Sequence, residues 1–462
     1  MTSFWLLLRD RFWQIALLVL ILRAVGGPAG LLAYGVVAIY GLGGRRQAVE
    51  AILLCWYITL ANSAIFGAIP NASLARYGVI FLIAGAMVLR SAGRPLSHGV
   101  VATLVLGFYI LLHSALFSVV GTISFLKGAI WTLATVTVLL AFTSMQQNEM
   151  RRAEQHIYGF LALVLALSVP VYFLQPGGSM FGYSYLRGLL GHSQAIGVVG
   201  AMVGAWAFAR LVDHSRLAIL DVMIFALCFY VVMLSGARTA LLSIPFCMFV
   251  TSFLAIAKGK RPLKRLLSHL RNPLVALGVG VIAVGGILFA GPLFTSVMET
   301  LQKNSESASI AEAYGESRGA LIDEMLDNIR EDPLTGIGFG IASDPENMVV
   351  ETVSGIPISA VVEKGVTHIA VWEELGLLGL FLVIYWATVI FSNAARAALG
   401  QFALLLSIFV LNLGEATLFS AGGMGLLQIL FIGFASYRMR KQRQRLSPRS
   451  AFRSQTAYVS RR

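Results

Sequence analysis

About fourteen apolar runs follow one another along the chain, near 10–26, 28–44, 48–68, 73–90, 98–120, 124–144, 157–174, 194–211, 216–234, 239–257, 273–295, 367–391, 400–414 and 420–437. A run of roughly 20 apolar residues crosses a bilayer as a helix. A backbone in lipid must satisfy its own hydrogen bonds, which leaves helices as the structure such runs can adopt. The spacing therefore predicts an all-α, polytopic integral membrane protein with about 12–14 transmembrane helices. Composition agrees: 12% of residues are charged, where soluble domains carry about 25%. Arg23 interrupts the first apolar stretch and no clear cleavage site precedes the next, which predicts a membrane hairpin rather than a signal peptide. The cysteines, Cys55, Cys228 and Cys247, all fall inside apolar runs and offer neither a disulfide framework nor metal-ligand spacing.

One long polar passage, 296–366, breaks this pattern. It carries thirteen Asp/Glu against four Lys/Arg, a composition that predicts a solvated cap. Within it, Leu321, Ile322, Met325, Leu326 and Ile329 recur at helical spacing with acids on the opposite face. Ser317 is placed to cap this amphipathic helix over 317–331 and Pro333 to stop it. The helix must lay its apolar side on the membrane bundle or on the lipid beside it. The expected organisation is a bundle of about eleven helices over 1–295, the cap over 296–366, about three more helices over 367–437 and a basic tail over 438–462.

Charge sets the orientation. With the N-terminus inside, alternate loops and the tail collect twenty-six Lys/Arg, while the opposite loops collect seven: Arg76, Arg187, Arg238, Lys303, Arg318, Arg330 and Lys364. The positive-inside rule then places both termini in the cytoplasm and the acidic cap outside. Arg23 and Lys127 fall within apolar segments.

Four polar clusters lie at the expected outer face. LSGARTALLS (234–243) sets Arg238 between two apolar runs, where it either snorkels to headgroups or presents a fixed guanidinium to phosphate oxygens. YLRGLLGHSQAIG (185–197) carries Arg187 and His192, a loop histidine that can equally be a helix cap. VVEKGVTHIAVWEELGLLGL (361–380) gathers Glu363, Lys364, His368, Glu373 and Glu374 where the chain re-enters the membrane. Carboxylates one turn into a membrane helix are costly unless they line a wet cavity. NLGEATLFSAGG (412–423) holds Glu415, a counter-ion for Arg238 or Arg187. GIGFG (336–340) reads as a turn, since it lacks the strand–loop–helix context of a phosphate loop.

Taken in order, these segments resemble the O-antigen ligase and exopolysaccharide polymerase superfamily of bacterial membrane glycosyltransferases, from the eighth apolar run onward. LSGARTALLS is similar to its Ser-Gly-x-Arg motif, SRGALIDEMLDNIREDPLTGIGFG to its outer-loop motif, and THIAVWEELGLLGL to its loop exit. The family commonly has His-Asn with a glutamate eight residues on. Here Ile369 follows His368 and Glu374 comes six on, so Lys364 or His192 could fill the place of the family histidine.

The resemblance implies an inverting transfer on the periplasmic face of the bacterial inner membrane, with no metal and no cofactor. It further implies an undecaprenyl-pyrophosphate-linked oligosaccharide as donor, a sugar hydroxyl as acceptor and other polysaccharide assembly proteins as further partners. Nucleic acid has no part in it. Arg238, with Arg318, Arg187 and Lys364, would hold the pyrophosphate. His368 or His192 would serve as base, with Glu374 in reserve. A ligase moving finished glycan to lipid A-core is the rival within the class, and a flippase for lipid-linked glycans the rival outside it.

Overall fold

The computed structural model describes residues 10–174, 185–213, 219–260, 310–360, 362 and 364–437. Each apolar run except one forms a helix: α1 (Arg11–Val25), α2 (Gly27–Gly41), α3 (Arg45–Leu60) with the short α4 (Ser63–Phe66), α5 (Ala72–Ser91), α6 (His98–Leu116), α7 (Gly121–Ser144), α8 (Gln147–Leu174), α9 (Ser193–Asp213), α10 (Ile219–Ser235), α11 (Arg238–Ala257), α13 (Thr367–Arg396), α14 (Leu399–Leu411) and α15 (Gly423–Ala435). The exception, 273–295, lies outside the described residues, as do 296–309 and the basic tail. Among the described residues seven helices are long and apolar enough to cross a membrane. The protein is an all-α polytopic membrane protein.

The bundle is layered by exposure. Ile39, Leu89, Phe249 and Phe253 are largely exposed apolar side chains, which is the outward face that lipid requires. At the centre, α9 packs on α10, α11 and α14, while α15 packs on α3 and α7. Small residues allow close approach here: a Cβ at Gly200 of α9 would come within 2.9 Å of Val232 on α10. Such small-residue contacts replace the hydrophobic drive that is missing between helices in lipid.

Contacts between loops join residues of the same expected side. At one end Asn62 N–H donates to the Leu189 carbonyl, Leu186 N–H to Leu234, Val119 N–H to Ile337 and Thr367 N–H to Asn412. At the other, Lys258 reaches the Ala397 carbonyl and Gln401 the Phe434 carbonyl. The helices α2, α5, α7, α9, α11, α13 and α15 all begin at the first end, so their positive dipole ends gather there.

The cap departs from expectation in two ways. Its helix, α12, runs Ile310–Glu331, so Ser317 is interior rather than an N-cap. The good helix formers of IAEAYGE carry the helix upstream, and it ends two residues before Pro333, as expected. A hairpin, β1 (Val350–Val353) with β2 (Ile356–Ala360), follows. Both turn residues, Ser354 and Gly355, have positive φ, the conformation of the tight turns that match strand twist. β2 packs on α7 and α5.

Candidate functional site

The site is built on a break in α13. Gly376 has φ 66° and ψ −174°, outside helical values, and the break releases the carbonyls around it. Residues 333–340 thread into the gap and pair with the released groups. Ile337 N–H donates to the Glu373 carbonyl (2.9 Å) and Gly338 N–H to Glu374 (3.0 Å), while Leu377 N–H donates to Pro333 (3.1 Å). Trp372 Nε1 also donates to the Pro333 carbonyl, and the Tyr109 hydroxyl donates to Leu375. His113 Nε2 bonds the Thr335 carbonyl. An interrupted helix at membrane depth survives where neighbouring groups re-satisfy its backbone.

Two glycines make this interlock possible. A Cβ at Gly376 would lie 1.9 Å from the Leu334 carbonyl oxygen, and one at Gly336 (φ +71°) 2.4 Å from that of Glu373. The glycine-rich GIGFG segment is a turn, as expected, and its role is to dock on the helix. PLTGIGFG and EELG are two halves of one joint.

The joint fixes two consecutive buried carboxylates. Lys364 Nζ contacts Glu373 Oε2 at 2.6 Å and Glu374 Oε1 at 3.1 Å, and the Lys364 and Glu373 side chains are essentially inaccessible. Asn328 of α12 donates to Glu373 Oε1 (2.7 Å) and to the Ser343 carbonyl (2.9 Å). The second carboxylate, Glu374, accepts from Gly340 N–H through Oε2 at 2.7 Å. Met325 and Ile329 are buried on the face of α12 that carries Asn328, so the amphipathic helix lays its apolar side on the bundle.

Glu374 also lines a cavity of about 120 Å³ together with Arg76, Lys127, Gly340, Ser359 and Gly422. Lys127 Nζ donates to the Gly340 carbonyl at 2.7 Å. The cavity thus lies between the starts of α5, α7, α13 and α15 and the hairpin.

The residues between 223 and 384 match the family model described as O-antigen ligase. Over that segment the chain is similar to the O-antigen ligase and polymerase superfamily. The matched segment runs from within α10 through the cap and past the break in α13, so it contains Arg238, Asn328, the glycine joint, Lys364 and both glutamates. Members of this superfamily are membrane glycosyltransferase-like enzymes acting on lipid-linked glycans. No curated protein matches the chain.

Within this fold the expected site residues separate into two groups. Lys364, Glu373 and Glu374 come together, with the lysine held as their counter-ion. Arg238 opens α11 half-buried, and its neighbour Thr239 closes on Gly414. Arg187 is half-buried in the adjoining loop, where Leu186 is tied to Leu234. The turn 412–416 links the groups, since Ala416 N–H donates to the Lys364 carbonyl and Thr367 Oγ1 to the carbonyl of Glu415. His192 is exposed and its Nδ1 accepts from Gln194 N–H (3.2 Å), a capping contact at the start of α9. His368 is exposed in the first turn of α13, roughly 140° around the helix from Glu373 by the 3.6-residue repeat. The Arg318 side chain and Glu363 lie outside the described residues.

Sequence reading passed over Arg76 and Lys127, which the fold brings to the cavity wall. The signal was present: Lys127 is an ionisable residue inside an apolar run, and such a residue marks a functional site by default. The hairpin was also missed, although VETVSGIPIS alternates β-branched residues around Ser-Gly.

Proposed function

We propose that the protein is a polysaccharide polymerase, extending a capsule, exopolysaccharide or O-antigen chain from undecaprenyl-pyrophosphate-linked repeat units at the periplasmic face of the bacterial inner membrane. The observation that carries this reading is the buried Lys364–Glu373–Glu374 cluster beside a polar cavity, at one end of the bundle and inside the segment that matches O-antigen ligase. A flippase would need charged groups along a path through the membrane. Here the site groups collect where α5, α7, α11, α13 and α15 begin.

In this reaction the acceptor hydroxyl attacks the anomeric carbon of the donor. The C–O bond to pyrophosphate breaks, the pyrophosphate leaves with the electron pair, and the hydroxyl proton passes to a base. Charge grows on the leaving oxygen, so preorganised cations lower the barrier. Arg238 and Arg187, on adjoining segments at that end, are assigned that task, with Arg318 on the cap. Glu374 is the candidate base whose carboxylate reaches the cavity, while His368 and His192 are exposed and open to substrate arriving from solvent. Lys364 acts through the carboxylates it neutralises. The transfer inverts the anomeric centre in one displacement and proceeds without a metal ion.

Because the family match carries the ligase description, ligation to lipid A-core is the second reading. A deletion strain separates the two. Accumulated single lipid-linked repeats are expected, and lipid-linked long polymer with uncapped lipid A would make the protein a ligase. For orientation, alkaline phosphatase fused at Ser343 in the cap is expected to be active and fused at Gly259 inactive. The reverse pattern would place the cavity in the cytoplasm and sink the proposal.

A further inference from the structure

Arg76 is 6% exposed. Its guanidinium stacks 5.0 Å from the Tyr77 ring and makes no hydrogen bond to any described residue; Nε is fully buried and unpaired. Gly422 lies flat over it, where a Cβ would come within 3.0–3.3 Å of its terminal atoms. Lys127, the second cation on the same cavity wall, donates to one carbonyl and has two further N–H groups. A buried guanidinium with unused donors is costly, because each lost water contact goes uncompensated. Two cations, Arg76 and Lys127, line the cavity with one carboxylate, Glu374, which Lys364 already contacts at 3.1 Å.

We propose that Arg76 and Lys127 form a phosphate-binding subsite, which takes one phosphate group of the lipid diphosphate donor. This deepens the proposed function and rests on it for the identity of the donor. Guanidinium geometry suits paired phosphate oxygens. At about 120 Å³ the cavity is well below the roughly 300 Å³ at which pockets for whole ligands begin, so it holds one small group rather than a sugar chain. The starts of α5, α7 and α15 at the same end add backbone dipoles of the right sign. Both residues lie outside the 223–384 match, so the first half of the chain supplies part of the site.

Thermal unfolding of the purified full-length protein in zwitterionic nanodiscs tests this, with three probes: a glycan-free polyprenyl diphosphate, inorganic pyrophosphate and phosphatidylglycerol. The polyprenyl diphosphate is expected to raise the melting temperature of the parent protein, and inorganic pyrophosphate to do so at higher concentration. In Arg76→Gln and in Lys127→Gln the half-saturating concentration should rise at least tenfold. Without ligand, Arg76→Gln should melt at or above the parent, since an unpaired buried cation has gone; a purely structural arginine would give the opposite. The proposal is overturned if both variants titrate like the parent, if none of the probes shifts the parent, or if phosphatidylglycerol alone does. Binding is read without turnover. Loss of diphosphate binding in these variants, together with a failure of the polymerase tests, would therefore keep the subsite and discard the polymerase.

Discussion

Replacing Lys364 with Met is expected to cost about 3–5 kcal/mol of stability, the usual consequence of removing one partner from a buried ion pair. The site gives a specific reason for the upper part of that range. Lys364 Nζ is the only cation in direct contact with two adjacent buried carboxylates among the described residues, at 2.6 and 3.1 Å. Without it Glu373 keeps only the Asn328 amide and Glu374 the Gly340 N–H, and two like charges remain side by side at membrane depth. Denaturant or thermal unfolding in detergent reads the loss directly. Glu373→Gln should be far milder, since an amide oxygen still accepts from Lys364 and one like-charge repulsion disappears. A Lys364→Met protein as stable as the parent would mean that the carboxylates are not held by this lysine, and the account of the cluster would fall.

The legibility of the molecule followed the range of the interactions. Membrane helices are written locally, in apolar run length, and thirteen of the fourteen runs return as helices, with the clearest shifts at α8, which begins well upstream at Gln147, and α3, which ends at Leu60. The amphipathic stripe of the cap helix was also legible, because Met325 and Ile329 recur at helical spacing and both are buried. Its continuation upstream of Ser317 was not, since Ser317 is a good cap residue but IAEAYGE before it is also helical. Local preference offered two answers.

The site itself is non-local. Lys364, Glu373 and Glu374 are near in sequence, and their crowding drew notice. Nothing short-range could say that Asn328 would close one side or Arg76 and Lys127 the other. The joint between Gly336 and Gly376 shows the same limit. Each glycine is ambiguous alone, and the requirement that neither carry a Cβ arises only when the loop lies in the broken helix. His368 drew attention for its chemistry, but helical phase turned it away from the buried pair.

Arg238→Lys should reduce polymer formation by roughly 10²–10³-fold, the usual loss when one preorganised transition-state contact is removed, about 2.7–4 kcal/mol. Arg238 is the first residue of α11, so its backbone sits at a positive helix end, and Gly236 (φ +64°) turns tightly against the ring of Tyr185, in the loop that carries Arg187. A guanidinium there offers paired N–H donors to the departing pyrophosphate, whereas an ammonium keeps the charge but not the fork. Arg238→Ala should leave no detectable polymer. Both variants should accumulate in the membrane at the parent level, because the residue lies at the rim of α11 and not in its packed interior. If Arg238 only snorkels to headgroups, lysine serves equally well, since both side chains reach the interface on long apolar stems. Normal polymer from Arg238→Lys, measured per unit of membrane protein, would remove Arg238 from the transition state and leave Arg187 and the Arg76–Lys127 pair to carry the leaving group's charge.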